Sequence, residues 1–421
     1  MDANYINRNK TLKKSCIAFL IIIIVFSLSA CTWIGDKKSD DQKKLNIFLD
    51  LSDDHSYKII KFLIDDYKKD NPDVEVKLND KLGESKNIMD TINVGTKIDV
   101  MFTNRNDFLE LNQKGVLSNM DAAYKANNIN TRYFNIIASY GRIGDIYYGI
   151  GVVPYSVELL YNKVNLKKLK ITNPNSLKEW LDVLKQVNAK DMKTPVVLTQ
   201  DMDASGALFS LIASSTINIH EIQNCYDSDE ASYKKLKDMQ GVFDKFNLLT
   251  KKNGITKNSF ELGNEQDVIN FNNSDTPLLM CSSYYNSMLN ANNIGVVADY
   301  DNNSKFGTGV PIIIDSILSV PVNAKNGDSV DDFIEYIYSD EVQEKIVQKG
   351  IISGDKVANN KISGIGKSMV QHIYRANDNS IPLLYNLPKK IKDNVILTLK
   401  KIIDGNYTSK EWEEILKNIY K

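Results

Sequence analysis

The sequence predicts an α/β fold in which mostly parallel sheets are covered on both faces by helices. Three observations predict it: short apolar strands alternate with amphipathic helices, the helices carry start and stop signals, and the chain is long enough for two lobes. Residues 45–49 (Leu-Asn-Ile-Phe-Leu) form a short strand bounded by polar residues. Ile59, Ile60, Phe62, Leu63 and Tyr67 then recur at helical spacing, with Lys68 and Lys69 in the last turn and Pro72 beyond it. Val74, Val76 and Leu78 alternate as a strand, Ile88, Met89 and Ile92 mark a second helix, and 98–102 is another apolar strand. A helix over 108–111 closes at Gly115.

Downstream, Ser176-Leu177-Lys178-Glu179 reads as a capping box, because the hydroxyl and the carboxylate satisfy free amides at a helix start. Leu177, Trp180, Leu181, Leu184 and Val187 form the buried stripe of that helix. Strands follow at 195–199, 278–281, 294–298 and 312–320, with an apolar helix at 207–213. Ser329 opens a helix carrying Phe333, Ile334 and Ile337, and Thr408-Ser409-Lys410-Glu411 caps the last one, with Trp412, Ile415 and Leu416 inside. Asn127-Asn128 and Asn272-Asn273 are loop tips.

Lys plus Arg number 52 against 53 Asp plus Glu among 421 residues, so no global field recruits nucleic acid. The N-terminus carries Arg8, Lys10, Lys13 and Lys14, then an apolar run over 17–28 and the small-residue exit Leu28-Ser29-Ala30-Cys31, the pattern of a secretory signal. Those last four residues resemble the lipobox of bacterial lipoproteins. The resemblance implies a signal peptide over 1–30 and a diacylated Cys31 as lipid anchor, since two acyl chains hold a protein stably at a membrane. Residues 31–43, rich in Asp, Lys and Ser, read as a flexible tether. Cys225 and Cys281 then remain for the folded part, either bridged or as free thiols.

Enzyme motifs are missing from the sequence. His55, His220 and His372 are isolated, so no HExxH pattern forms, and there is no GxSxG elbow. Gly366-Lys367-Ser368 has Lys361 where a phosphate loop needs its first Gly. The stretch beginning at Asp201 half-matches a calcium loop but offers Ile212 in place of the bidentate Glu. No cofactor and no metal are implied.

The segments from Gly95 to Asp99-Val100, from Phe108 to Gln113-Lys114-Gly115-Val116-Leu117, and from Tyr147-Tyr148-Gly149 through Pro154 to Leu160-Tyr161-Asn162-Lys163 resemble extracellular solute-binding proteins of ABC importers, in the group of sugar and maltose receptors. Ser319-Val320-Pro321-Val322-Asn323 followed by 333–348 resembles their late strand and helix pair. Ile98 stands where the family has Pro. The resemblance implies a two-lobed clamp, hinged between, with lobe I over 44–152 plus 300–347 and lobe II over 153–299 plus 348–421. It implies a monomer that captures a small solute, most plausibly a carbohydrate, without catalysis and delivers it to permease subunits on the outer face of the bacterial cytoplasmic membrane. A sensor feeding a membrane kinase and a surface-attached glycan-processing enzyme are the alternatives.

Ligands of such folds lie outside the C-terminal ends of strands, where carboxylates and amides meet hydroxyl edges and aromatic rings meet apolar faces. The loop after the first strand offers Asp53 and His55, and the loop after 98–102 offers Thr103, Asn104 and Arg105, the last suited to a bidentate contact. Their competing role is helix capping. Tyr155 stands at the first crossing between lobes, Asp203 and Ser205 precede the 207–213 helix, and Tyr284 and Tyr285 follow 278–281. Tyr385 is a weaker aromatic candidate, and Asp315, interrupting an apolar strand, reads either as a buried cleft acid or, the favoured alternative, as a residue that holds structure by hydrogen bonds. Trp33 falls in the tether, and Trp180 and Trp412 on helix stripes, which assigns the last two to core packing.

Overall fold

The computed structural model describes residues 43–80, 97–273, 276–300 and 309–421. The expected signal segment, Cys31, nearly all of the tether and the helix about Ile88, Met89 and Ile92 lie outside the described residues. Among the described residues no helix is long and apolar enough to cross a membrane.

Two sheets organise the chain. The first contains β1 (Lys43–Asp50), β2 (Val74–Asp80), β3 (Val100–Thr103), β6 (Ile150–Gly151) and β13 (Ile317–Ser319), in the order β2-β1-β3-β13-β6. The second contains β7 (Tyr155–Asn162), β8 (Thr194–Val197), β9 (Phe260–Leu262), β10 (Leu278–Ser282) and β11 (Ile294–Val296), in the order β11-β7-β10-β8-β9, and β12 (Ile312–Ile313) also pairs with β7. A small hairpin of β4 (Arg142–Ile143) and β5 (Ile146–Tyr147) stands apart. The pairs β1–β3, β8–β10 and β8–β9 are parallel, a pairing that needs the long crossover connections the helices supply. β13 runs antiparallel to β3 and β6, and β7 antiparallel to β10, β11 and β12, so both sheets are mixed. The antiparallel strands are those next to the points where the chain changes sheet.

That change happens first between β6 and β7, across Val152, Val153 and Pro154, and again between β12 and β13, across Ile314, Asp315 and Ser316. The single strand expected over 312–320 is therefore two short ones, one in each sheet. The second passage also falls later than the expected boundary at 300, because Ile312 and Ile313 still pair with Ser156 and Tyr155. Residues 354–356 remain tied to the first half, where Phe134 N donates to Gly354 O at 3.0 Å and Lys356 N to Arg132 O at 2.9 Å.

Local signals place the helices much as read. Asp53 caps Asp54–Asp70, accepting from Ser56 N at 2.8 Å, and Ile60, Leu63, Ile64 and Tyr67 are buried beneath it. Ser176 caps Leu177–Asn188 as expected, but Glu179 reaches past it to accept from Asn175 N at 2.7 Å. Trp180 and Trp412 are core residues. Cys225 and Cys281 are free thiols.

Helix Ile365–Tyr374 packs against β7 through a buried ion pair: His372 Nδ1 lies 2.9 Å from Glu158 Oε2. Burial pushes the imidazole toward its neutral form, yet the Glu158 carboxylate outweighs it and leaves the pKa above the ordinary value. A raised histidine pKa adds stability that is complete below the unfolded value near 6.5 and is lost as pH rises through the folded value. His372→Leu leaves Glu158 buried without its cation, so urea unfolding at pH 6 is expected to show a loss of about 3 kcal/mol or more. The wild-type advantage over this variant shrinks as pH is raised toward 9.

Candidate functional site

The sheet crossings bring polar loops from both halves against one another. At the second crossing Asp315 is buried, and its carboxylate holds the loop after β1: Oδ2 accepts from Ser52 N at 3.1 Å and from Asp53 N at 2.8 Å, while Ser52 Oγ donates to Oδ1 at 3.1 Å. Those bonds set the start of helix Asp54–Asp70 and with it the placement of His55. The His55 ring stacks on Tyr284, centroids 3.8 Å apart at 21°, and meets Tyr285 edge-on at 5.3 Å. Its Nε2 lies 3.2 Å from the Tyr285 hydroxyl and its Nδ1 3.7 Å from Asp53 Oδ1. Tyr155, at the start of β7, meets Tyr284 edge-on at 5.9 Å. Five of the residues singled out from sequence, Asp53, His55, Tyr155, Tyr284 and Tyr285, are thus drawn into one group, with Asp315 beneath it.

Burial dominates the electrostatics. It raises the pKa of Asp53, an effect partly offset by the amide of Ser56 and the ring of His55. It lowers that of His55 against the pull of Asp53. Asp315 is raised well above the usual carboxylate range, first by burial and then by the charges of Asp201 and Asp53.

A second group forms where the loop after β3 meets the C-terminal segments. Arg105 donates from Nε and Nη2 to Asn386 Oδ1 at 3.3 and 3.2 Å and from Nη1 to Tyr140 O, with its guanidinium also over the Phe108 ring. Asn106 Nδ2 donates to Leu387 O at 2.9 Å and to Tyr385 O at 3.2 Å, and the Tyr226 hydroxyl donates to Asn106 O. The Tyr385 hydroxyl donates to Asp201 Oδ1 at 2.8 Å, and Lys392 Nζ lies 3.4 Å from Asp201 Oδ2 and over the Tyr385 ring.

Several expectations change here. Arg105 is not free for a bidentate ligand contact, because its donors are committed to Asn386 and Tyr140; burial brings its pKa down to about 10. Asn104 caps helix Arg105–Gln113, accepting from Asp107 N at 3.0 Å, and so takes the competing role. Thr103 is fully buried, its hydroxyl without a hydrogen bond. Asp203 caps helix Ala204–Thr216 and, with Ser205, lines a separate groove of about 580 Å³ toward β9 rather than joining the His55 group. Asp201, Asn386 and Lys392 were missed. Asp201 sits in the same post-strand loop as Asp203, and choosing the residue nearest the helix favoured the cap. Among the described residues no group of His, Cys, Asp and Glu forms a metal site.

A fold in which the chain twice passes between two mixed sheets, with polar and aromatic loops of both meeting at the passages, defines a two-lobed binding protein. The model of the bacterial extracellular solute-binding protein family matches residues 63–362, and the chain belongs to that family. No curated protein sequence matches it. Solved structures match with high coverage at low identity. The sugar-binding protein MalE of Xanthomonas citri shares 12% identity over 90% of this chain and 96% of its own, with a TM-score of 0.66. A probable secreted solute-binding lipoprotein of Streptomyces coelicolor shares 13% identity over 90% and 99%, TM-score 0.66. The maltose-maltodextrin binding protein of Alicyclobacillus acidocaldarius shares 12% identity over 90% and 100%, TM-score 0.60.

Asp53 supplies a direct test of the electrostatics. Its raised pKa means that the folded state holds the proton more tightly than the unfolded state, so the ionised side chain detracts from stability at neutral pH. Asn caps helices as well as Asp. Asp53→Asn is therefore expected to raise the urea midpoint at pH 7, with the gain disappearing as pH falls through the folded value.

Proposed function

We propose that this protein is the lipid-anchored substrate-binding subunit of an ABC importer, holding a small solute, most favourably a carbohydrate, between two lobes and passing it unchanged to membrane permease subunits. One observation carries the reading: His55 and Tyr284 follow strands of different sheets, β1 and β10, yet stack on each other. A ligand held at such a place touches both lobes and favours their closed arrangement, and a permease then reads closure as loading. The carbohydrate part draws on the relatives, whose names are those of a sugar-binding and a maltose-maltodextrin binding protein.

In this proposal lobe I begins as 44–152 and resumes after the second crossing at Asp315, keeping 354–356 with it, while lobe II holds 153–313 and the C-terminal helices from Ile365 onward. Asp53, His55, Tyr155, Tyr284 and Tyr285 hold the solute. Thr103, Asn104 and Arg105 shape the facing wall, and Asp203 and Ser205 orient the Asp201 loop. Cys31 carries the lipid, which places the protein on the outer face of the membrane, as a monomer.

Titration calorimetry against mono- and oligosaccharides is expected to give binding with one site per chain; silence across saccharides overturns the carbohydrate reading. Tyr284→Ala should weaken that binding at least tenfold, whereas Tyr155→Phe, which keeps the buried ring, should leave the thermal midpoint nearly unchanged. For the anchor, Cys31→Ser is expected to abolish labelling by a radioactive fatty acid in cells and to release the protein into the medium. Labelling that persists in the variant removes Cys31 from the role.

A further inference from the structure

The charge around the His55 group does not balance. Asp53 and Asp315 lie together in the crossing, the amide of one bonded to the carboxylate of the other at 2.8 Å, and both are buried. Among the described residues neither forms an ion pair with a Lys or Arg. Two cations of the neighbouring group are engaged elsewhere: Lys392 with Asp201 and the Tyr385 ring, Arg105 with Asn386 and the Tyr140 carbonyl. His55 adds no charge at neutral pH, since burial lowers its pKa. Buried carboxylates without a cation are expensive, and the described residues supply none here.

A separate observation marks the same place. The hydroxyls of Tyr155 and Ser56, residues only 1% exposed, lie close to each other and to Asp53, yet among the described residues neither has a well-aligned hydrogen-bond partner. Buried polar groups are ordinarily satisfied, so two orphan hydroxyls beside an unbalanced carboxylate point to a polar group that arrives with the ligand. The rings of Tyr284, Tyr285 and Tyr155 border this spot, and aromatic faces beside carboxylates favour an alkylammonium over a neutral hydroxyl group.

We propose that the solute is cationic: an amino sugar or amine-bearing saccharide whose ammonium group lies at Asp53, over Asp315 and among Tyr155, Tyr284 and His55. The saccharide part rests on the carbohydrate reading given above. The charge does not depend on it. The ammonium supplies the missing counter-charge and donates to the orphan hydroxyls, and its ring stands against tyrosine.

The test is calorimetry at neutral pH with the deacetylated β-1,4-linked glucosamine disaccharide, its di-N-acetyl counterpart, maltose and spermidine. The deacetylated disaccharide should bind at least tenfold more tightly than the di-N-acetyl form and than maltose. Asp53→Asn, which keeps the helix cap, should remove at least tenfold of that affinity while the protein's thermal midpoint stays at or above wild type. Equal or tighter binding of the neutral disaccharides overturns the cationic solute and leaves the carbohydrate reading standing. Binding of spermidine with no disaccharide bound upholds the charge and overturns the carbohydrate. Failure of both amines to bind overturns the proposal.

Discussion

The arrangement of this molecule depends on what Asp315 does between β12 and β13. A buried carboxylate must find donors, and here they are the amides of Ser52 and Asp53 and the hydroxyl of Ser52. One side chain therefore ties the passage between sheets to the loop that ends β1. Because Asp53 is also the cap of helix Asp54–Asp70, the same bonds fix where that helix begins and how His55 is presented to Tyr284. Strand, crossing, helix cap and aromatic stack form one connected unit.

Around that unit polar groups link the two halves at several points. Arg105 reaches Asn386, Asn106 reaches the carbonyls of Tyr385 and Leu387, and Gln113 reaches the carbonyl of Tyr226. When the halves part such bonds are replaced by bonds to water, so each contributes a net stabilisation of about 1 kcal/mol, and more for the charged Arg105. The sheets themselves are held by apolar cores that do not exchange: Ile47, Phe102 and Leu318 in the first, Leu159, Met280 and Val196 in the second. A joint of exchangeable bonds between rigid bodies is the physical requirement for hinge closure, and differential affinity for the closed form is what a bound solute adds.

Much of this was legible in the sequence because it is local. Periodicity placed the helices, capping residues placed their starts, and residues just after strand ends gave Asp53, His55, Tyr284 and Tyr285, which the fold brings together. What was not legible is long-range. The apolar run over 312–320 looks like one strand by pattern, and only the pairing of Ile312 with Ser156 and of Ile317 with Thr103 shows that it serves two sheets. Asp315 was the visible signal of that break. Arg105 resembled a ligand contact because nothing in the sequence announces Asn386, 281 positions away, as its acceptor. Asp203 outranked Asp201 for the opposite reason: a helix cap is a local pattern, whereas the bond from Tyr385 to Asp201 is not.

In the proposed function, two halves move about the crossings when a solute binds. Val322 and Leu262 are exposed, one beyond β13 in the first half and one in β9 of the second. Fluorophores attached at Val322→Cys and Leu262→Cys, in a Cys225→Ser background, report the separation of the halves by single-molecule energy transfer. The account predicts an open and a closed population in free protein that merge into the closed one at saturating solute. A single separation, unchanged by a solute shown to bind, contradicts it.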